Sequence, residues 1–255
     1  MHDIAITMDV DWAPDFAIDF VAERLIASRV RATWFVTHRS PAIERLRQHR
    51  DLFELGIHPN FLPGSSHGDS PAAVLQHCMG LVQDAVAMRT HGLVQSTGLL
   101  REVMTITPII ADASLYLPHT PALRPVEFHW RAHRLLRIPH FWEDDFEMER
   151  PHPCWHWAPL QAIGEGLKVL AFHPIHVLLN SAGFGPYEAL KQRVPVLHQT
   201  VRNDVAACIF QGEGTQTLFT ELVGYLAGTG RARRIRDICE RWRTPAPELS
   251  GAACL

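Results

Sequence analysis

A parallel α/β fold built as an incomplete barrel is predicted by three observations. Apolar runs of strand length recur along the chain and alternate with helical periodicity, the pattern of a parallel sheet with helical crossovers. The first run, Ile4-Ala-Ile-Thr-Met8, is nearly continuous, as in a strand buried on both faces. Six or seven strand–helix units in a chain of 255 residues suit a barrel better than a doubly wound sheet. Neither a Gly-x-Gly-x-x-Gly nor a P-loop pattern occurs, which weakens a nucleotide-binding alternative.

Each element has its own signal. Apolar residues at three- and four-residue spacing predict a helix over Phe16–Ser28. Arg31-Ala-Thr-Trp-Phe-Val-Thr37, rich in β-branched and aromatic residues, reads as the second buried strand. Ser40-Pro41 opens the next helix with a cap and a proline in its first turn. Leu55-Gly-Ile-His-Pro-Asn60 is a third strand that empties into a loop of turn formers ending at Pro71. Pro71 starts a helix to about Ala87, followed by a short strand at Met88–Gly92. Further strands fall at Ile109–Leu117, Leu135–Phe141 and Leu167–Phe172, and helices at Tyr187–Gln211 and Thr215–Thr229 close the fold. No linker divides the chain, so residues 1–243 are expected to form one domain and 244–255, with Pro245 and Pro247, a flexible tail.

Composition narrows the function. At 47% apolar residues a sizeable core is available, yet no run approaches the ~18 residues of a membrane span. Met1-His-Asp-Ile enters a strand at once, without the basic and apolar regions of a signal peptide, so a cytoplasmic location is expected. The net charge of −3 argues against broad nucleic-acid binding, and the basic cluster Arg231–Arg236 is expected on a solvated helix face. Five scattered cysteines without a CxxC read as reduced thiols. Histidine is the unusual residue, sixteen against three tyrosines, a supply suited to metal binding or proton transfer.

In parallel α/β folds the chemistry gathers at the carboxyl ends of the strands. Here those ends carry Asp9 and Asp11, then His58, then Arg89 and His91, then His140-Phe-Trp-Glu-Asp-Asp145, then His173-Pro-Ile-His176. On an extended backbone Asp9 and Asp11 point the same way, and two neighbouring acids leaving a buried strand need compensation, as from a divalent metal on one of them. The plainer reading makes Asp11 or Asp15 the cap of the following helix. A buried histidine, taken singly, often only bonds the backbone.

This arrangement resembles the polysaccharide deacetylases, the NodB-homology group known as carbohydrate esterase family 4. The resemblance runs from Ile4 to about Asn180 and is strongest in Ile6-Thr-Met-Asp-Val-Asp-Trp12, Arg31–Thr37 and Glu54-Leu-Gly-Ile-His-Pro-Asn60. It implies a distorted, incomplete (β/α)7 barrel. It also implies Asp9 as catalytic base and Asp11 as metal ligand, here as Asp-x-Asp where the family's acids are usually adjacent. His58 matches the first of two metal histidines. The usual partner position holds Leu62, and His67 in the following loop is the next candidate, against a reading as a surface loop histidine. Two imidazoles and a carboxylate leave positions open for water, as catalytic zinc requires, so the expected cofactor is a divalent metal, Zn2+.

By the same resemblance Arg89 pairs with the base, and His173 protonates the leaving amine. Asp145, or Asp144 beside it, orients that histidine, and His176 is placed to share or replace its role. Trp12, Asn60, His91, Trp142 and His176 complete the expected substrate-binding set, although a tryptophan such as Trp142 is at least as often simple packing. The expected reaction is metal-dependent removal of an N-acyl group, acetyl or formyl, from an amino sugar. The chain most resembles a bacterial branch tied to lipopolysaccharide and O-antigen loci. Two alternatives stand beside it: a cyclic-amide hydrolase of the allantoinase kind, and a degenerate member that only binds carbohydrate.

Overall fold

β1 (Ile4–Asp9) lies inside the sheet with every residue buried, as its unbroken apolar run requires. The computed structural model describes residues 3–242. Parallel to β1 run β2 (Ala32–Val36) on one side and β9 (Lys168–Phe172) on the other. Beyond β2 come β3 (Phe53–Ile57), β4 (Ala87–Met88) and β5 (Ala111–Asp112), all parallel. β7 (His133–Arg137) continues the parallel sheet from β5 and carries β6 (Val126–Trp130) antiparallel on its outer edge. The two-residue β8 (Trp142–Glu143) pairs with β9 at the opposite edge.

The two edges meet. Ile138 N donates to Asp112 O (2.8 Å) and His140 N to Leu115 O (2.9 Å), while Phe141 N donates to Val169 O (2.8 Å). The chain between β7 and β8 thus leaves one edge of the curled sheet and joins the other. With β7 and β8 taken as one bent strand, seven parallel positions surround the core, the distorted barrel that the alternation predicts.

Helices cover the outer face. Ser40, Ser70 and Ser96 cap the helices Pro41–Arg47, Pro71–Leu81 and Thr97–Ile106, each accepting from the backbone N–H three residues on. Gly56 in β3 is required by space, since a Cβ there would meet Ala87 O at 2.7 Å and the Phe35 ring at 2.8 Å. No helix among the described residues is long and apolar enough to cross a membrane.

Several sequence expectations need correction. The helix expected over Tyr187–Gln211 is three short pieces, Gly185–Arg193, Leu197–Gln199 and Arg202–Ala206, and Pro195, which cannot donate within a helix, falls in the first break. The helix from Pro71 stops at Leu81, well short of Ala87. The basic cluster near the C-terminus is no free face: Arg233 reaches Asp3 (3.6 Å), Arg234 is paired with Asp237 (2.8 Å), and Arg236 N donates to the buried Glu54 (2.8 Å). These contacts tie the helix Ile235–Trp242 across the bottom of β1–β3. Cys78, Cys154 and Cys208 are free thiols. The expected tail at 244–255 lies outside the described residues.

Candidate active site

The strand ends converge on a cavity of about 200 Å³ lined by Asp9, Asp11, His58, His91, Glu143 and His173, among others. Asp9 is the last residue of β1 and 2% exposed. Its Oδ1 accepts from Arg89 Nη1 (3.0 Å), which also donates to Thr7 Oγ1 (2.8 Å). Arg89, directly after β4, is fully buried, with Nε donating to Ala113 O (3.0 Å) and the Phe35 ring below it. Asp9 is the one carboxylate within ion-pair distance of Arg89 among the described residues. A buried guanidinium demands such a partner.

Asp11 reaches the cavity by a different route from the extended alternation expected of it. Asp11 and Trp12 both have left-handed backbones (φ 43° and 53°), held by Ala13 N donating to Val10 O (2.8 Å) and Trp12 N to Thr37 Oγ1 (3.0 Å). A tryptophan is rarely found there, and such strain concentrates at functional sites. The turn presents Asp11 to three imidazoles: His58 Nε2 (3.0 Å), His91 Nδ1 (3.1 Å) and His173 Nε2 (3.4 Å). Burial raises the Asp11 pKa, but His58, His173 and His91 outweigh it and hold it well below the usual carboxylate range. Burial lowers the His91 pKa and the Asp11 carboxylate raises it, with the net shift upward.

One oxygen of Asp11, one nitrogen of His58 and one of His91 lie within 4.8 Å of one another. Two imidazoles and a carboxylate gathered this closely form a donor set that fits a divalent metal.

His67 is not brought into this cluster. Its Nε2 donates to Thr37 O (2.8 Å), so its Nδ1 is the acceptor, taking Asn60 N–H (3.1 Å) with Cys78 Sγ also close (3.3 Å). Both ring nitrogens are spent on holding the loop, and the ring packs between Trp12 and His77. Burial, with His77, His58 and His91 nearby, lowers its pKa to about 4. The unfolded chain therefore binds a proton on His67 between pH 6.5 and 4 while the folded protein does not. Stability from this residue is complete above pH 6.5 and is lost as pH falls toward 4, by up to about 3 kcal/mol. Denaturant unfolding at both ends of that window should show a shallower acid loss in His67→Gln; an unchanged slope would refute the assignment.

His173 caps the helix Pro174–Leu179, and its Nδ1 lies 2.6 Å from Asp144 Oδ1. Asp144 Oδ2 also accepts the His173 backbone N–H (2.8 Å). The carboxylate that bonds His173 Nδ1 is thus Asp144, and Asp145 turns instead to His176 Nε2 (3.0 Å). His176 is buried, with Nδ1 against Ser181 Oγ (3.1 Å). Burial lowers the His173 pKa, but Asp145, Asp144 and Asp11 together hold it well above the ordinary imidazole range.

The expected substrate contacts divide. His91 and Trp12 stand at the site, their rings 5.4 Å apart. Asn60 bonds Leu62 N (2.9 Å) and shapes the loop. Trp142 is fully buried between Trp155 and Phe172, a core residue out of reach of a ligand. Within His140–Asp145 the structure adds a pair to which the sequence assigns no role of its own: Glu143 and His140 share a 2.6 Å contact beside Asp9. The signal was present in three successive acids, Glu143-Asp144-Asp145, straight after a strand.

The family model "WbmS-like: Polysaccharide deacetylase" matches residues 6–191. A crystal structure from Bordetella bronchiseptica, assigned as a polysaccharide deacetylase involved in O-antigen biosynthesis, is 30% identical with a TM-score of 0.73. That match covers 87% of this chain and 90% of the other. The peptidoglycan deacetylase PdaC from Bacillus subtilis is 11% identical over 93% of this chain and 89% of its own, with a TM-score of 0.46. A CE4 family pseudoenzyme from Bacillus anthracis is 14% identical over 76% and 59%, with a TM-score of 0.39. Among curated proteins no relative matches the chain. The extent of the family match and the 30% identity across nearly the whole fold place this chain in the WbmS-like polysaccharide deacetylase family.

Proposed function

We propose that this protein hydrolyses the N-acyl amide of an amino sugar, removing acetyl or formyl during the building of a surface glycan. One observation carries the reading: two buried charge pairs, Asp9–Arg89 and His173–Asp144, flank the Asp11–His58–His91 cluster in one cavity. Asp9 takes a proton from the attacking water, and Arg89 keeps its carboxylate aimed at the cavity. His173 Nε2 gives a proton to the departing nitrogen, while Asp144 fixes the ring through Nδ1. Water adds to the acyl carbon, the C–N bond breaks, and the products are a carboxylate and a free amino sugar. Asp11, His58 and His91 would hold the divalent metal, Zn2+, whose chemistry is to polarise the acyl oxygen and acidify water. The surface-glycan part of the reading is supported by the O-antigen role stated for the Bordetella bronchiseptica relative.

The test is amine release from N-acetyl and N-formyl amino sugars, offered free, nucleotide-linked and as oligomers. Protein stripped by chelation is compared with protein reloaded with Zn2+. Turnover that vanishes on stripping and returns on reloading is expected. Hydrolysis of cyclic ureides alone, or carbohydrate binding with no amine released, would replace this reading by one of the alternatives.

A further inference from the structure

Glu143 lies between the two catalytic pairs and has no part in the reaction as derived above. One of its oxygens is within 4.8 Å of ligand atoms of both Asp9 and His173. Oε2 is held by His140, and Oε1 has no hydrogen-bond partner among the described residues, on a side chain that lines the cavity.

The proton in that contact can be located from the bonding. Ala113 O, which can only accept, faces both Arg89 Nε (3.0 Å) and His140 Nδ1 (3.1 Å), so Nδ1 carries a hydrogen. Burial and the Arg89 charge keep His140 neutral, well below the ordinary imidazole range, which leaves Nε2 a lone pair. The hydrogen at 2.6 Å then belongs to Glu143 Oε2, and Oε1 is the carbonyl oxygen of a neutral acid. The groups facing Glu143 agree with this. Burial pushes it up to about 8, with Asp9 and Asp145 adding to the rise and His173 and Arg89 opposing it. Tyr116 stacks behind His140 (4.8 Å) and adds no positive charge. Arg89 neutralises one carboxylate, Asp9, and a second anion beside it would be uncompensated.

Resting on the amide-hydrolase reading, we propose that Glu143 Oε1 accepts the N–H of the scissile amide and so makes the site selective for amides over esters. When water adds to the acyl carbon, the nitrogen gains a lone pair that must face His173 to be protonated. Anchoring its N–H on Oε1 turns that lone pair toward His173. A neutral acceptor suits the task, because an anion there would compete for the proton meant for the leaving nitrogen. An ester has no N–H to offer and gains nothing from Glu143.

Glu143→Gln preserves the arrangement: its NH2 donates to His140 Nε2 and its carbonyl faces the cavity. Glu143→Leu removes the acceptor at similar size. Activity is read on N-acetylglucosamine oligomers as the amide probe and O-acetylated xylose oligomers as the ester probe, with thermal unfolding alongside. Glu143→Gln should stay within a few-fold of wild type on both probes. Glu143→Leu should lose about 10- to 100-fold in kcat/KM on the amide and keep its ester rate. Inactivity of Glu143→Gln would mean that Glu143 works as a carboxylate and would overturn the proposal. Equal losses of Glu143→Leu on both probes would overturn it too, as a structural effect, as would no loss on either. If wild-type protein releases no amine, the parent reading fails first and takes this one with it. Infrared difference spectra of wild type against Glu143→Gln should show a protonated carboxylic acid at neutral pH, and a carboxylate band in its place would refute the neutral state whatever the activity.

Discussion

Asp9→Asn should lower amide turnover by about 10²- to 10⁴-fold while leaving metal binding intact. Asparagine keeps the side-chain shape and an oxygen for Arg89 Nη1, but it cannot take a proton from water. The change also removes the one carboxylate that neutralises a fully buried guanidinium, among the described residues. Breaking a buried pair costs about 3–5 kcal/mol when one partner is lost outright, and the retained hydrogen bond should keep the loss toward the lower end. Turnover must therefore be measured beside thermal unfolding and metal titration. The expected result is a folded, metal-loaded, nearly inactive protein. A variant that loses metal as completely as Asp11→Asn does would show that the roles given to the two acids are wrong.

His91→Ala should weaken Zn2+ binding by at least about 100-fold, and His67→Ala should leave it within a few-fold of wild type. The contrast follows from ring nitrogens. His91 Nδ1 stands 3.1 Å from Asp11, on the oxygen that His58 also faces. His67 has no nitrogen to give, with Nε2 on Thr37 O and Nδ1 on Asn60 N–H. His67→Ala instead removes the support of the loop and of Trp12, so it should lower the melting temperature. Titration of stripped protein with a zinc-competing chromophore reads the affinity. Full loading of His91→Ala together with failure of His67→Ala would return His67 to the ligand set.

The fold was legible because its signals are local and redundant. β1, β2 and β9 are buried along their whole length and appear as unbroken apolar runs. Serine caps announce their helices within three residues. The hairpin of β6 and β7 was less legible: Val126, Phe128 and Trp130 alternate with polar residues, but the strand is short and largely exposed at the sheet edge. The helix expected over Tyr187–Gln211 failed because a pattern of apolar residues does not register one proline as strongly as the backbone does.

The sequence by itself determined which chemistry leaves each strand: carboxylates after β1, an imidazole after β3, a guanidinium after β4, acids after β8 and an imidazole after β9. It did so because strand direction in a parallel sheet sends every carboxyl end to one edge. Only the tertiary structure decided how those groups pair. Whether His91 or His67 stands beside Asp11, and whether Asp144 or Asp145 bonds His173 Nδ1, depends on differences of a few ångströms between side chains that are distant or adjacent in the chain. The left-handed turn at Asp11 and Trp12 swings a carboxylate toward His91, eighty residues away. At β8, the strand runs directly into a helix that turns Asp144 inward to His173 and Asp145 toward His176. Residue type and spacing carry the first kind of information, and the second arises only when separate segments close on one another and compete for the same ring nitrogens.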